Sequence, residues 1–139
     1  MSEPRVVVDL DIPSDVSQIE RVVSLVTDVC RDLRLPKRKY TLNVPVALSE
    51  ALSNAIIRDN REDPSKHVHV RATVSDLALV LDVSDEGAGF DMHNVDHDPT
   101  AAEHIEREDG RGIFLMQQLM DRVEQINGSR HLLRLTLNR

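Results

Sequence analysis

The sequence is poor in aromatic residues, with two Phe, one Tyr and no Trp among 139 residues. The hydrophobic core must therefore be built almost entirely from aliphatic side chains. The same scarcity removes the aromatic platforms on which many proteins stack single-stranded nucleic acid. Positive charge is also in deficit, because 17 Lys and Arg face 24 Asp and Glu and leave a net charge of −7. No basic stripe is visible, so we expect no nucleic-acid partner.

Cysteine and long apolar runs are lacking as well. Cys30 is the only cysteine, which excludes a disulfide within the chain and is typical of a reducing compartment. The opening stretch MSEPRVVVDLDIP has no apolar run suited to a signal peptide, and no segment approaches the length of a membrane span. We therefore expect a cytoplasmic protein with no membrane partner. The length suits one domain, residues 1–139, with a single core.

Alternating and helical patterns of apolar residues divide the chain into strands and helices. In chain order, the predicted elements are a strand at Arg5–Ile12, a helix from Val16 to Leu33, a helix beginning near Asn43, strands at His67–Asp76 and Leu77–Asp85, a helix at Gly112–Val123, and a hairpin of Val123–Asn127 with His131–Asn138. Three helices can cover one face of a mixed, mostly antiparallel sheet of about five strands. We therefore predict a two-layer α/β sandwich of the α+β class.

The stretch VALSEALSNAIIRDN is an apolar helix that carries an acid and an amide. Glu50 and Asn54 stand four residues apart, so their side chains project together. An amide oxygen is a suitable ligand for Mg²⁺, and a carboxylate can accept a proton or orient a nucleophile. A polar helix edge facing solvent explains the pair as well, because such pairs are common. The buried surface of this helix is predicted to comprise Ala47, Leu48, Ala51, Leu52, Ala55 and Ile56.

A second motif, DVSDEGAGFD, lies at the end of a predicted strand. Asp85 is followed by Gly87 and Gly89, and two glycines so spaced permit a sharp turn and close approach of the backbone to a ligand. A carboxylate at a strand end can accept a hydrogen bond from an exocyclic amine such as that of adenine. A turn that leaves an edge strand would give the same pattern.

A third motif, EDGRGIFLM, lies where the last helix is predicted to begin. Gly110 and Gly112 would leave backbone N–H groups free at the positive end of the helix dipole, and Arg111 adds a charge. Such a site suits an anion, although a flexible hinge into a helix would look alike. Neither the P-loop pattern nor the dinucleotide-binding pattern of glycines occurs in the chain.

The order and spacing of the three motifs resemble those of the GHKL ATPase superfamily. Within that superfamily, the short length and the stretch ALSEALSNAI resemble the anti-sigma-factor serine/threonine kinases, and the resemblance spans nearly the whole chain. It implies the Bergerat ATP-binding fold of a histidine-kinase-like ATPase domain. It also implies ATP and Mg²⁺ as cofactors, a homodimer, and phosphorylation of a STAS-type anti-sigma-factor antagonist. Binding and inhibition of a sigma factor are implied in addition.

The resemblance also implies roles for individual residues. Glu50 would be the general base toward the hydroxyl that receives phosphate, and Asn54 would coordinate Mg²⁺. Asp85 would bind adenine, and Thr100–Asp109 would form the lid over ATP. The remaining nucleotide-binding residues that it implies are Arg58, Gly87, Gly89, Gly110, Arg111, Gly112 and Ile113.

The chain departs from this family at one step of the first motif. Many members of the group continue with His-Gly, where this chain has Arg58 and Asp59. Arg58 lies two helical turns beyond Glu50, so it could contact phosphate or pair with Glu50 and lower its basicity. We expect this departure to bear on phosphoryl transfer more than on nucleotide binding. It motivates an alternative function, an ATP-gated protein-binding module of the same fold without phosphoryl transfer.

Two further functions remain open from the residues alone. The detached catalytic domain of a sensor histidine kinase ranks lower, because no dimerising helix pair with a phospho-accepting His precedes the motifs. A metallohydrolase would use His93 and His97, but no cysteine pair completes a zinc site. We expect these two histidines, and the pair His67 and His69, to be solvated surface residues. Cys30 is expected to lie in the core.

Overall fold

The computed structural model describes residues 3–87 and 108–139, with the backbone alone at 108–111. The elements are β1 (Arg5–Pro13), α1 (Ser17–Asp32), a π-helical segment (Lys39–Asn43), α2 (Val44–Ser53), a π-helical turn (Asn54–Asp59), β2 (His67–Val74), β3 (Ala78–Asp85), α3 (Glu108–Leu119), β4 (Arg122–Asn127) and β5 (His131–Asn138). The predicted alternation of strands and helices is confirmed.

The sheet is open and five-stranded, in the order β1-β2-β3-β5-β4. All four neighbouring pairs are antiparallel, which confirms the predicted α+β architecture. β5 lies between β3 and β4, so the chain returns from α3 to the sheet edge before its last strand fills the gap. In this register Asp85 at the end of β3 is directly opposite His131 at the start of β5.

The core lies between the helices and one face of the sheet, and it is aliphatic within the described residues. Buried and less buried residues alternate along β2, β3 and β5, as expected for strands with one packed face. The residues predicted to be buried on the second helix are at most 2% exposed: Ala47, Leu48, Ala51, Leu52, Ala55 and Ile56. Cys30 is fully buried, and burial raises the pKa of its thiol to about 11, so it is a core residue and not a reactive thiol.

The third helix differs from its prediction at both ends. It begins at Glu108, four residues before Gly112, and thus takes in the last two residues of the predicted lid, Thr100–Asp109. It ends at Leu119, because the N–H of Asp121 already donates to the Thr136 carbonyl and joins the sheet. α1, with 16 residues, is the longest described helix, and none within residues 3–87 and 108–139 is long and apolar enough to cross a bilayer.

Candidate functional site

Helices α2 and α3 bring the first and third motifs into contact. Gly112 is buried, and a Cβ atom added to it would lie 2.9 Å from Glu50 Oε2 and 3.6 Å from Asn54 Nδ2. Because an ordinary side chain would displace the Glu50 carboxylate, this approach needs glycine. The Glu50–Asn54 pair therefore faces the third motif, and both residues are half-buried.

The amide of Asn54 is incompletely satisfied by the described part of the chain. Its Nδ2 atom is buried and has no hydrogen-bond partner there, although buried polar side-chain atoms are usually paired. The oxygen and nitrogen of an amide exchange places when the group rotates by half a turn, so the same position can present an acceptor. Carboxylate and amide oxygens are the ligands that Mg²⁺ prefers. Asn54, with Glu50 beside it, fits a magnesium ion.

Beyond Ser53 the helix widens into a π-helical turn, Asn54–Asp59. The N–H of Asn60 donates to the Ala55 carbonyl at 2.9 Å, five residues back. Such π-turns are rare and occur often at functional sites. The turn runs from Asn54 to Asp59, so the side-chain amide of Asn54 and the pair Arg58 and Asp59 all lie on it.

A fully buried asparagine ties the end of this turn to the sheet. The Asn60 side chain donates through Nδ2 to Ser14 Oγ at 2.9 Å and to the His67 carbonyl at 3.0 Å. Its Oδ1 accepts from the N–H of Glu86 at 3.0 Å. Since Glu86 follows Asp85, Asn60 fixes the position of the second motif relative to the first.

Asp85, the expected base-binding carboxylate, is 1% exposed and held by two donors. The N–H of Gly87 donates to Asp85 Oδ1 at 2.9 Å. His131 Nδ1 lies 3.1 Å from Asp85 Oδ2 and donates to it, because an ionised carboxylate only accepts. Both contacts fix the orientation of the Asp85 carboxylate.

Asp59 completes a cluster of ionisable groups around Asp85. Its Oδ2 lies 3.5 Å from His131 Nδ1, and its Oδ1 accepts from Arg58 Nε at 3.1 Å. One carboxylate oxygen of Asp59, one of Asp85 and one imidazole nitrogen of His131 all lie within 4.8 Å of one another. Arg58 and Asp59, which the sequence analysis relates mainly to phosphoryl transfer, therefore lie beside Asp85 and His131.

The two carboxyl groups of the cluster have pKa values shifted in opposite directions. Burial, followed by the hydrogen bond with Asp85, raises the pKa of Asp59 to about 6. Burial acts to raise the pKa of Asp85 too, but hydrogen bonds with His131 and Asp59 outweigh it and lower that pKa below 3.8. The hydrogen bond to Asp85 raises the pKa of His131 above 6.5, against the opposing effect of burial. Of the two carboxyl groups, Asp59 is therefore the one whose raised pKa lets it hold a proton in mildly acidic solution.

Gly87 allows the second motif to approach the π-helical turn. A Cβ atom added there would lie 2.3 Å from the Asp59 carbonyl oxygen and 2.8 Å from Asp59 Cβ. Real Cβ atoms do not approach backbone atoms this closely, so the position requires glycine at this contact. The close approach explains how Asp59, at the end of the π-helical turn, reaches the end of β3.

The other predicted site residues are placed as follows. Ile113 is fully buried in the core, directly after Gly112. Gly110 and Arg111 lie in the first turn of α3, where backbone N–H groups have no partner within the helix. Gly89 lies outside the described residues, as do Thr100 to residue 107 of the predicted lid.

The histidines weighed as metal ligands separate into two groups. His67 and His69 lie on β2, with side chains that are 45% and 31% exposed and that contact the carboxylates of Asp11 and Asp9, respectively. Their predicted surface position is confirmed. His93 and His97 lie outside the described residues.

The sequence prediction missed His131 and Asn60, and it treated Asp59 only as a departure. A signal for His131 was present, because His131, Leu133, Leu135 and Leu137 alternate along β5 and place the imidazole in the buried register. Asn60 was missed because it lies next to residues predicted to form a polar loop, and its burial depends on a contact with Ser14, 46 residues away in the chain.

Comparison with known proteins agrees with this geometry. A family model described as the histidine kinase-like ATPase domain matches residues 12–137, and the chain belongs to that family. Members of this family are ATPase domains, for which ATP is the expected ligand.

Relatives with names are similar over part of their length. The chain is 35% identical over 92 residues to serine-protein kinase RsbW of Bacillus subtilis (strain 168), a match that covers 63% of this chain and 58% of that protein. It is 32% identical over 90 residues to the anti-sigma F factor of Geobacillus sp. (strain WCH70), covering 63% and 61%. A match to the anti-sigma F factor of Clostridium perfringens (strain SM101 / Type A) is 32% identical over 91 residues and covers 64% of each. The matches thus span about three fifths of these relatives.

Proposed function

We propose that this chain binds Mg-ATP and transfers the terminal phosphoryl group to a serine or threonine of a protein partner. One observation carries the proposal: Gly112 of the third motif lies against Glu50 and Asn54 of the first. The residues that we propose as general base and magnesium ligand thus lie beside the N-terminal part of α3. The family membership and the name serine-protein kinase of one relative support the same chemistry.

The proposed division of labour follows from the positions of the groups. At the end of β3, Asp85 accepts a hydrogen bond from the exocyclic amine of adenine, while α3 presents backbone N–H groups to the phosphates. Bound at Asn54, magnesium would supply neutralisation of phosphate charge. Glu50 orients the partner's hydroxyl group and accepts its proton. The hydroxyl oxygen forms a bond to the γ-phosphorus as the bond to the β-phosphate oxygen breaks, and ADP leaves.

The proposed partner is a STAS-type anti-sigma-factor antagonist in a partner-switching circuit. Relatives named anti-sigma F factor support this choice and extend the proposal to binding and inhibition of a sigma factor. We further propose a single-domain, cytoplasmic protein that acts as a homodimer.

Label transfer from γ-labelled ATP to STAS-domain proteins of the source organism tests the proposal. Wild type should produce acid-stable label on one of them, and Glu50→Gln should transfer roughly 10²–10⁴-fold more slowly while still binding ATP. Glu62→Gln is the matched control, because Glu62 lies in the polar loop after the π-helical turn. Acid-labile label, or unchanged transfer by Glu50→Gln, would contradict the proposed chemistry.

A second candidate function is an ATP-gated binding module without phosphoryl transfer. It is motivated by the sequence, in which Arg58 and Asp59 stand where many members of the resembling kinase group have His-Gly directly after the motif of Glu50 and Asn54. This module would bind ATP and form a nucleotide-dependent complex with its partner. Absence of label on any partner after long incubation, with ATP binding intact, would favour this function over the kinase.

A further inference from the structure

Two carboxyl groups are buried side by side at the base end of the proposed site. The side chains of Asp59 and Asp85 are 4% and 2% exposed, and His131 contacts both. Two adjacent buried carboxylates repel each other when both are ionised, so such a pair tends to retain one proton. This arrangement arises only because the chain has Asp59 after Arg58.

The charged groups that face Asp59 come from three elements. Arg58 on the same turn donates to it, Asp85 faces it from β3, and His131 faces it from β5. Glu86, next to Asp85, is engaged elsewhere, because its carboxylate accepts from the N–H of His67. On the far side of His131, the amide of Gln125 lies 2.9 Å from Nε2. With both carboxyl groups ionised and His131 charged, the cluster including Arg58 is neutral overall.

The hydrogen bonds of Asp85 show what a proton on Asp59 does. Gly87 already donates to Oδ1 and His131 to Oδ2. Side-chain oxygens of Asp59 and Asp85 lie within 4.8 Å of each other, so a neutral Asp59 can donate a third hydrogen bond to the same carboxylate. A carboxylate offers about four lone-pair positions, so a neutral Asp59 competes with any further donor for the two that Gly87 and His131 leave. A cavity of about 190 Å³ borders the cluster at Gly87 and His131.

We propose that Asp59 is a positioning residue of the nucleotide-base site, which in neutral form occupies the Asp85 acceptor that a base amine needs and in ionised form leaves it free. The inference rests on the proposed function, in which Asp85 binds the base. Nucleotide binding then releases the proton of Asp59 to solvent. Affinity should therefore rise with pH until Asp59 is fully ionised.

The expected size of the effect follows from proton linkage. With Asp59 half-protonated at about pH 6, the affinity for Mg-ATP should be about tenfold lower at pH 5.0 than at pH 7.5. The phosphates of ATP titrate in the same range, so the readout is the difference between wild type and variants. Calorimetry in buffers of different ionisation enthalpy counts the protons released, a quantity that a purely structural role would not change.

The experiment compares Asp59→Ala, the near-isosteric Asp59→Asn and the control Asp63→Asn, titrated with Mg-ATP from pH 5.0 to 7.5. Asp63 is an acid of the neighbouring loop whose carboxylate accepts from Ser65. We expect Asp59→Ala to lose the tenfold dependence. Asp59→Asn should bind about tenfold more weakly than wild type at pH 7.5, because its amide donates permanently to Asp85. Asp63→Asn should follow wild type.

Three results would overturn the inference. Equal pH dependence and proton release in wild type and both Asp59 variants would show that Asp59 does not control the site. Tighter binding at low pH would show that a neutral Asp59 donates to the base. Absence of ATP binding by wild type at every pH would defeat the proposed function and this inference together, whereas the first two results leave the proposed function intact.

Discussion

At the scale of single residues, Gly112 decides where the carboxylate of Glu50 can lie. An alanine there would place a methyl group 2.9 Å from Glu50 Oε2 and 3.6 Å from Asn54 Nδ2. The far end of a flexible side chain can move, so the fold should survive, and alanine is a better helix former than glycine. A displacement of about 1 Å in a catalytic group can cost about 10²-fold in rate. We therefore expect Gly112→Ala to remain folded and to transfer phosphate about 10²-fold more slowly.

Thermal unfolding and label transfer measured on the same preparation check this prediction. The matched control is Gly128→Ala, because an added Cβ atom at Gly128 meets nothing within 4 Å. The control should leave both quantities unchanged. Normal transfer by Gly112→Ala would mean that Glu50 does not act from the position that the structure gives it.

Asp59 should also leave a signature in the stability of the nucleotide-free protein. Its pKa rises from 3.8 to about 6 on folding, chiefly through burial, so between these values the folded chain holds a proton that the unfolded chain has lost. The free energy of unfolding therefore falls as pH rises through this window. The lowered pKa of Asp85 changes the free energy of unfolding in the opposite direction, but only below pH 3.8. The raised pKa of His131 changes it only above pH 6.5.

Urea midpoints of wild type and Asp59→Asn at pH 4.5, 5.5 and 6.5 test this prediction. Asparagine never ionises, so the variant should gain stability relative to wild type as pH rises across the series. Parallel curves for the two proteins would show that Asp59 titrates normally in the folded chain.

At the scale of elements, the end of α1 shows a residue in a conformation that suits it poorly. Arg34 has a φ of 60°, in the left-handed region. The N–H of Leu35 donates to the Cys30 carbonyl and that of Arg34 to the Arg31 carbonyl, the pattern of a Schellman motif. Glycine is preferred at this position because it has no Cβ atom. We predict that Arg34→Gly raises the free energy of unfolding by about 1 kcal/mol.

The comparison variant is Arg31→Gly, three residues earlier and inside the helix. There glycine should destabilise by about 1 kcal/mol, because the backbone is helical and glycine has a poor helix propensity. Both substitutions remove one positive charge, and the ion pair that Arg31 also loses, with Asp28, is exposed and contributes little, so urea denaturation reports mainly the backbone effect. Destabilisation by Arg34→Gly would contradict the conclusion that the left-handed backbone at Arg34 favours glycine.

Elements with strong periodicity could be predicted from the sequence, and those shaped by distant contacts could not. α1 and β1–β3 follow their apolar patterns closely. The π-helical turn could not be predicted, because it depends on Asn60 bonding Ser14, His67 and Glu86. The early start of α3 was missed because glycines were taken to mark the boundary, whereas the helix includes both of them.

At the scale of the whole molecule, the fold brings the second and third motifs against the first, because Gly87 approaches Asp59 and Gly112 approaches Glu50. The motifs were visible in the sequence because each has a recognisable local pattern. The Asp59–Asp85–His131 cluster was not visible, because β5 must pair with β3 across 46 residues and the π-helical turn must end beside both strands. What the fold adds is therefore the surroundings of Asp85, and with them the expected pH dependence of base binding.

The grouping of Asn54 and Glu50 against α3 makes ATP binding the property on which the other proposals depend. Calorimetric titration with ATP, in the presence and absence of Mg²⁺, should be made on wild type, Asn54→Ala and the control Asn138→Ala at the exposed end of β5. We predict that wild type and the control bind ATP more tightly with Mg²⁺, and that Asn54→Ala loses this dependence. Failure of wild type to bind ATP, or an unchanged magnesium dependence in Asn54→Ala, would contradict the proposed site.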